Sequence, residues 1–210
     1  MLRVLLIGST GLVGGHVLKR LLADARIAQV VAPTRRPLDP HPRLFNPIID
    51  FEDLPRDAPW WAVDAAISTL GTTLKQAGSQ DAFRRIDLGY TLDVARLVHE
   101  RGTQRFALNS ALGANAGSSS FYLRTKGEIE RDIAALAFAS LTIVRPGLLG
   151  GKRDHPRLVE SIGLVVAGTL GRLLPAKWRI SDPERVAAAL VDGVVAGLPG
   201  SRIVSSADLS

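Results

Sequence analysis

Short runs of apolar residues alternate along this chain with longer segments whose apolar positions recur every three or four residues. Residues 2–7 are almost wholly apolar and stop at Gly8, the pattern of a strand buried on both faces of a parallel sheet. Residues 12–22 follow with helical spacing, and 29–32 make a second apolar run, closed by Pro33, Pro37 and a proline-rich loop through Pro47. The pattern then predicts a third, edge-like strand at 47–50, a fourth at 65–69, an amphipathic helix over 81–101 and a fifth strand at 105–109. A helix over 122–136 and a sixth strand at 141–145, stopped by Pro146 and Gly147, come next. Beyond them lie expected helices over 155–174 and 183–198 and a strand-like 202–205. Strand and helix alternating without long blocks of either predicts an α/β fold, a doubly wound parallel sheet with right-handed crossovers. Chain added after the sixth strand of such a sheet can cover the carboxyl edge where ligands bind, so 151–182 is expected to form a small helical extension on the substrate side.

Composition narrows this picture. The 210 residues are 46% apolar and 22% charged, which excludes disorder, collagen and coiled coil and leaves one domain over 1–210 as the expectation. With no cysteine there are no disulfides, thiolate metal sites or thiol nucleophiles, and His16, His41, His99 and His155 are scattered, so no metal site is expected. The apolar start resembles a signal peptide, but a glycine-rich stretch with His16, Lys19 and Arg20 follows and no small-residue cleavage site is evident. It reads instead as a strand of a cytoplasmic protein. The later apolar run at 162–170 is far shorter than the roughly 20 residues of a spanning helix, so no membrane partner is expected. The net charge of +6 suits nucleic acid or an anionic cofactor; dispersed arginines and 5% aromatics argue against nucleic acid. A solvated arginine-rich surface accounts for the same charge.

The first strand runs into Gly8-Ser9-Thr10-Gly11-Leu12-Val13-Gly14, a Gly-x-x-Gly-x-x-Gly pattern between a strand and a helix. Gly8 permits a tight turn, Gly11 lets backbone approach a pyrophosphate, and Gly14 lets the helix sit close to the strand, so helix-terminal N–H groups face an anion. The end of the second strand discriminates between dinucleotides, because a carboxylate there bonds a ribose 2′-hydroxyl whereas arginine accepts a 2′-phosphate. It reads Thr34-Arg35-Arg36, with no carboxylate before Asp39, which favours NADP(H) over NAD(H).

Tyr122 and Lys126 stand four residues apart at the start of the helix after the fifth strand, on one helix face. Reduction of a carbonyl needs a proton donor beside the hydride, and a phenol is a sluggish one near neutrality without a cation nearby. Ser110, at the end of the fifth strand, offers a hydroxyl to polarise a carbonyl oxygen.

These residues together resemble the short-chain dehydrogenase/reductase superfamily with its Rossmann fold. The Gly-x-x-Gly-x-x-Gly form, Ile67-Ser-Thr-Leu-Gly-Thr-Thr73 and Val144-Arg-Pro-Gly147 are similar to its atypical branch, and Tyr122-Leu-Arg-Thr-Lys-Gly-Glu-Ile-Glu130 to the Tat-interacting-protein-like reductases within it. The resemblance covers nearly the whole chain. It implies Tyr122 as general acid, Lys126 as the residue holding the nicotinamide ribose and tuning the phenol, and Ser110 as the group positioning the carbonyl. It implies that Gly8, Ser9, Thr10, Gly11, Leu12 and Val13 wrap the pyrophosphate and that Arg35 and Arg36 take the 2′-phosphate. Asp50 and Phe51 resemble the pair that flanks the adenine, with a strand cap as the alternative. Leu70, Gly71 and Thr72 would run beside the adenosine ribose, and Pro146 and Gly147 near the carboxamide. Asp87 stands where many relatives carry a polar residue facing the site; a surface carboxylate explains it equally well. The interval from Ser110 to Tyr122 is one residue tighter than the commonest spacing, so Ser118, Ser119 and Ser120 can share or replace the role of Ser110.

The expected function is therefore an NADPH-dependent oxidoreductase acting on a carbonyl of a small, partly apolar molecule, as a monomer or homodimer. A redox-sensing regulator similar to the NmrA-like proteins, binding NADP(H) without turnover, is the alternative. Relatives that process nucleotide sugars carry a larger C-terminal substrate domain beyond the extent of these 210 residues, so a sugar-nucleotide epimerase is not expected. Trp60-Trp61 reads as a docking patch or loop anchor, His99 as a helix-end residue, His16 as an ordinary helix residue and His155 as a possible contact in the cleft.

Overall fold

The computed structural model describes residues 1–149 and 181–209. Its centre is a seven-stranded, wholly parallel sheet in the order β3-β2-β1-β4-β5-β6-β7, formed by β1 (Leu2–Ile7), β2 (Ile27–Val31), β3 (Leu44–Phe45), β4 (Ala65–Ser68), β5 (Arg105–Asn109), β6 (Ser140–Arg145) and β7 (Gly200–Ser205). The order reverses at β1 and β4, the switch point that opens a ligand crevice at the carboxyl edge in such sheets.

Each central strand feeds two cores, which explains why its residues are largely apolar on both faces. From β1, Val4 and Leu6 join a cluster under α1 (Leu12–Ala23) and α6 (Pro183–Ala196), whereas Leu5 and Ile7 join the opposite cluster under α4 (Thr91–Glu100) and α5 (Phe121–Ala134). Burying residues of this size contributes about 1.5–3 kcal/mol each. Helix α6 starts with Asp182 accepting the Glu184 N–H at 2.9 Å and Pro183 in its first turn, and ends at Gly197 with φ of +58°.

Two expectations are corrected. The third strand is Leu44–Phe45, not 47–50: Val30 N–H donates to Arg43 O and Ala32 N–H to Phe45 O, whereas Pro47 has no N–H and only a single bridge, Thr34 to Ile48, forms beyond it. The Asn46 amide spans that gap, donating to Ala32 O at 2.6 Å and to Thr34 Oγ1 at 2.7 Å. The long helix expected over 81–101 is α3 (Gln80–Arg84), a π-helical stretch Arg85–Tyr90, and α4. A short α2 (Leu74–Ala77), capped by the Thr73 hydroxyl, was not legible in the pattern. Trp61 is fully buried and donates from Nε1 to Pro55 O at 2.8 Å, with Trp60 tilted on it at 4.0 Å, so this pair is a loop anchor. His16 lies 3.6 Å from Glu184, joining α1 to α6, and the His99 ring packs edge-on against Phe138. The helix expected over 155–174, the cover at 151–182 up to residue 180, the apolar run at 162–170 and His155 lie outside the described residues.

Candidate active site

The glycine loop has the geometry of an anion cradle. Gly8 takes φ of +85°, and a Cβ there would lie 2.6 Å from the Thr69 carbonyl carbon, so only glycine fits. A Cβ on Gly14 would stand 1.9 Å from Gly8 O, which is how closely α1 approaches β1. Gly11 donates to Gly8 O at 3.0 Å, and a Cβ on it would meet only that oxygen, at 3.4 Å, so its outer side is open. Ser9 is buried and its Oγ has no hydrogen-bond partner among the described residues, an orphan beside backbone N–H groups that a phosphate or ribose oxygen fits. Thr10 is exposed and Leu12 half-buried, while Val13 points into the core and can contribute only its backbone.

Thr34 is held by Asn46, and its hydroxyl donates to Arg36 O at 2.7 Å, fixing the turn that presents Arg35 and Arg36. Both arginines are exposed, and no hydrogen bond or ion pair among the described residues engages either guanidinium. Asp50 accepts the Glu52 N–H at 2.9 Å, the cap alternative, and Phe51 is buried against the Tyr90 ring at 5.5 Å rather than presented for stacking. A latch holds this loop: Tyr90 donates to Glu52 at 2.5 Å, and Arg85 bridges Glu52 and Asp93. Burial, then the Glu52 carboxylate, pushes the Tyr90 phenol up to about 12.

After β4, Thr69 donates from both its N–H and Oγ1 to Ile7 O, laying Leu70, Gly71 and Thr72 beside the glycine loop. The π-helical stretch turns Asp87 inward to 2% exposure. Its Oδ2 accepts the Thr72 N–H at 2.8 Å and its Oδ1 lies 2.7 Å from Lys126 Nζ. Lys126, also buried, stands 6.0 Å from the centre of the Tyr122 ring, and Phe83 packs edge-on against that ring at 6.0 Å. Tyr122, Lys126, Asp87 and Gly71–Thr72 thus meet at one place on the carboxyl edge. Pro146 O accepts the Leu112 N–H, and Gly147 N–H donates to Ser181 Oγ at 3.0 Å, so the strip after β6 is pinned on both sides.

Ser110 departs from its expected setting. It is buried, and its hydroxyl donates to Glu130 Oε1. Ser118 accepts the Ser120 N–H, and Ser119 and Ser120 are exposed.

Sequence reasoning passed over Glu130, Arg145 and Gly127 as site residues. Glu130 and Arg145 stood inside the quoted motifs but are ordinary as single letters. Gly127, directly after the lysine, was the readable signal: a Cβ there would lie 2.1 Å from both Asn115 C and Ala116 N, so this glycine lets the loop between Ser110 and Tyr122 rest on α5. Asn109 Oδ1 is a second buried atom at this edge without a hydrogen-bond partner among the described residues.

No family model matches the chain. Curated relatives do: "Protein fmp52, mitochondrial" of Aspergillus fumigatus is 34% identical over 95% of this chain and 90% of its own length. The same-named protein of Coccidioides immitis is 33% identical over 93% and 87%, and that of Debaryomyces hansenii 35% identical over 78% and 76%. These names place the relatives in mitochondria and overturn the expectation of a cytoplasmic protein. Among solved structures, MoeE5 in complex with UDP-glucose and NAD superposes with a TM-score of 0.75 at 19% identity, over 96% of this chain and 75% of that one. The PhqB reductase domain from Penicillium fellutanum gives 0.69 at 21%, over 96% and 66%. UDP-N-acetylglucosamine 4-epimerase from Bacillus cereus gives 0.71 at 16%, over 98% and 78%. At such identities the structures establish the shared Rossmann fold, and on the strength of its curated relatives the chain belongs to the FMP52 family.

Proposed function

We propose that the protein is an NADPH-dependent reductase of small, partly apolar carbonyl compounds, related in mechanism to the atypical short-chain dehydrogenases/reductases. The observation that carries this reading is the buried Lys126 held between Asp87 and Tyr122 at the carboxyl edge, next to the strip that lies on the glycine loop. Gly8–Val13 would hold the pyrophosphate and Leu70–Thr72 the adenosine ribose, while Arg35 and Arg36, uncommitted among the described residues, would grip the 2′-phosphate. Two such charge-assisted contacts at about 1.5–3 kcal/mol each distinguish NADPH from NADH by more than tenfold. NADPH, when bound by these residues, would supply the hydride for the carbonyl carbon. Tyr122 passes its phenolic proton to the carbonyl oxygen, completing the alcohol, and the Lys126 ammonium stabilises the phenolate left behind. Asp87 holds that ammonium in place.

The reading is tested by NADPH oxidation with phenanthrenequinone as probe. Wild type turns over, and Tyr122→Phe loses about 10²–10⁴-fold in kcat while still binding NADPH, the size expected for a general acid. Turnover undiminished in Tyr122→Phe contradicts the assignment. NADPH binding with no turnover of any dicarbonyl would favour the regulator.

A further inference from the structure

Ser110 continues β5 by one residue, its N–H donating to Val144 O at 2.8 Å, and it is 5% exposed. Its only hydroxyl proton goes to Glu130. Glu130 follows Lys126 by one helical turn on α5 and is itself 6% exposed. Both of its oxygens accept from Arg145 at the end of β6, Oε1 from Nε at 3.0 Å and Oε2 from Nη2 at 2.5 Å. The carboxylate holds the Arg145 guanidinium above its ordinary value. A carboxylate so engaged only accepts, and a serine has a single proton to give. What remain on Ser110 Oγ are its lone pairs, which can only accept.

We infer that the Glu130–Arg145 pair fixes Ser110 as a hydrogen-bond acceptor toward the reaction site, so that Ser110 receives the hydroxyl proton of an alcohol and does not polarise a carbonyl oxygen. Glu130 and Arg145 are positioning residues, acting through Ser110. Polarisation of the carbonyl then falls to Tyr122, and Ser110 serves the alcohol form of the ligand. The inference rests on the reductase reading and changes its division of labour: tyrosine and serine at this edge are not two donors to one oxygen.

The test has a kinetic arm and an arm that needs no turnover. With NADPH and phenanthrenequinone, Ser110→Ala keeps kcat/KM within about tenfold of wild type, whereas removing a donor to a developing oxyanion costs about 10²–10³-fold. A loss of the latter size makes Ser110 a donor and overturns the inference. In the second arm, melting temperatures are measured without cofactor for wild type, Ser110→Ala, Glu130→Gln and the double variant. Ser110→Ala lowers the melting temperature by several degrees in wild type and by clearly less beside Glu130→Gln, because the bond to a charged acceptor is already weakened there. Additive shifts show that the proton of Ser110 is not spent on Glu130, and they overturn the inference as well. A wild type that oxidises no NADPH contradicts the reductase reading alone, since the melting arm still decides where the proton goes.

Discussion

Asp87 provides a sharp energetic test of the site. Its carboxylate is 2% exposed, bonds the Thr72 N–H at 2.8 Å and pairs with Lys126, whose side chain is 7% exposed. Asp87→Ala removes the carboxylate that pairs with the buried Lys126 ammonium and accepts the Thr72 N–H. Removing one member of a buried pair costs about 3–5 kcal/mol, and neither group is exposed enough for water to screen the loss. The four-carbon stem of lysine allows some relaxation, which favours the lower end, about 3 kcal/mol. For a chain of this length that corresponds to a fall of about 6–12 °C in melting temperature. Asp87→Asn keeps an acceptor for Thr72 and loses only the charge, so its fall is about half as large. The assay is thermal unfolding followed by circular dichroism, with and without saturating NADPH, and Asp87→Ala also binds NADPH more weakly because Thr72 is released. Asp87→Ala melting within about 2 °C of wild type would mean that the pair is no stronger than a solvated surface bridge and does not hold the site together.

Further expectations concern the glycines and the Tyr90 latch. Gly127→Ala drives a Cβ to 2.1 Å from the backbone of Asn115 and Ala116 and destabilises by at least about 1–3 kcal/mol, whereas Gly15→Ala, whose Cβ meets nothing nearer than Ser9 O at 3.9 Å, gains up to about 1 kcal/mol of helix propensity; denaturant midpoints read both. With only two tyrosines in the chain, Tyr122→Phe leaves Tyr90 to titrate alone, and its phenolate absorbance rises with a midpoint near 12, moving down in Glu52→Gln. Because the folded phenol holds its proton more tightly than the unfolded one, its contribution to stability is present below pH 10 and lost as the pH rises from 10 toward 12. A Tyr90 midpoint at 10 would show that the latch is open in solution.

Much of the fold was legible because both faces of the sheet are covered. Strands β1, β4, β5 and β6 must then be largely apolar on both faces, and glycines or prolines punctuate them. Strand β3 was displaced because only two residues pair, and the Asn46 side chain does the work that further ladder bonds would do. The π-helical stretch was hidden because one residue inserted in a helix leaves its apolar periodicity nearly intact, yet it is what points Asp87 at Lys126. At the site, Gly8, Gly14, Tyr122 and Lys126 were readable from type and spacing. The direction of the Ser110 hydroxyl was not, since it depends on Glu130 and Arg145 arriving from a helix and a strand 20 and 35 residues further along. Phe51 likewise matched a motif, but its ring completes the core beside Tyr90.

Fluorescence titration of NADPH and NADH against wild type and the Arg35→Ala/Arg36→Ala variant shows whether the carboxyl edge of this sheet is a site for NADPH. With Arg35 and Arg36 gripping the 2′-phosphate, wild type binds NADPH at least tenfold tighter than NADH, and the preference collapses toward the NADH level in the variant. Equal binding of both nucleotides by wild type would contradict the 2′-phosphate assignment, and binding of neither would contradict the site itself.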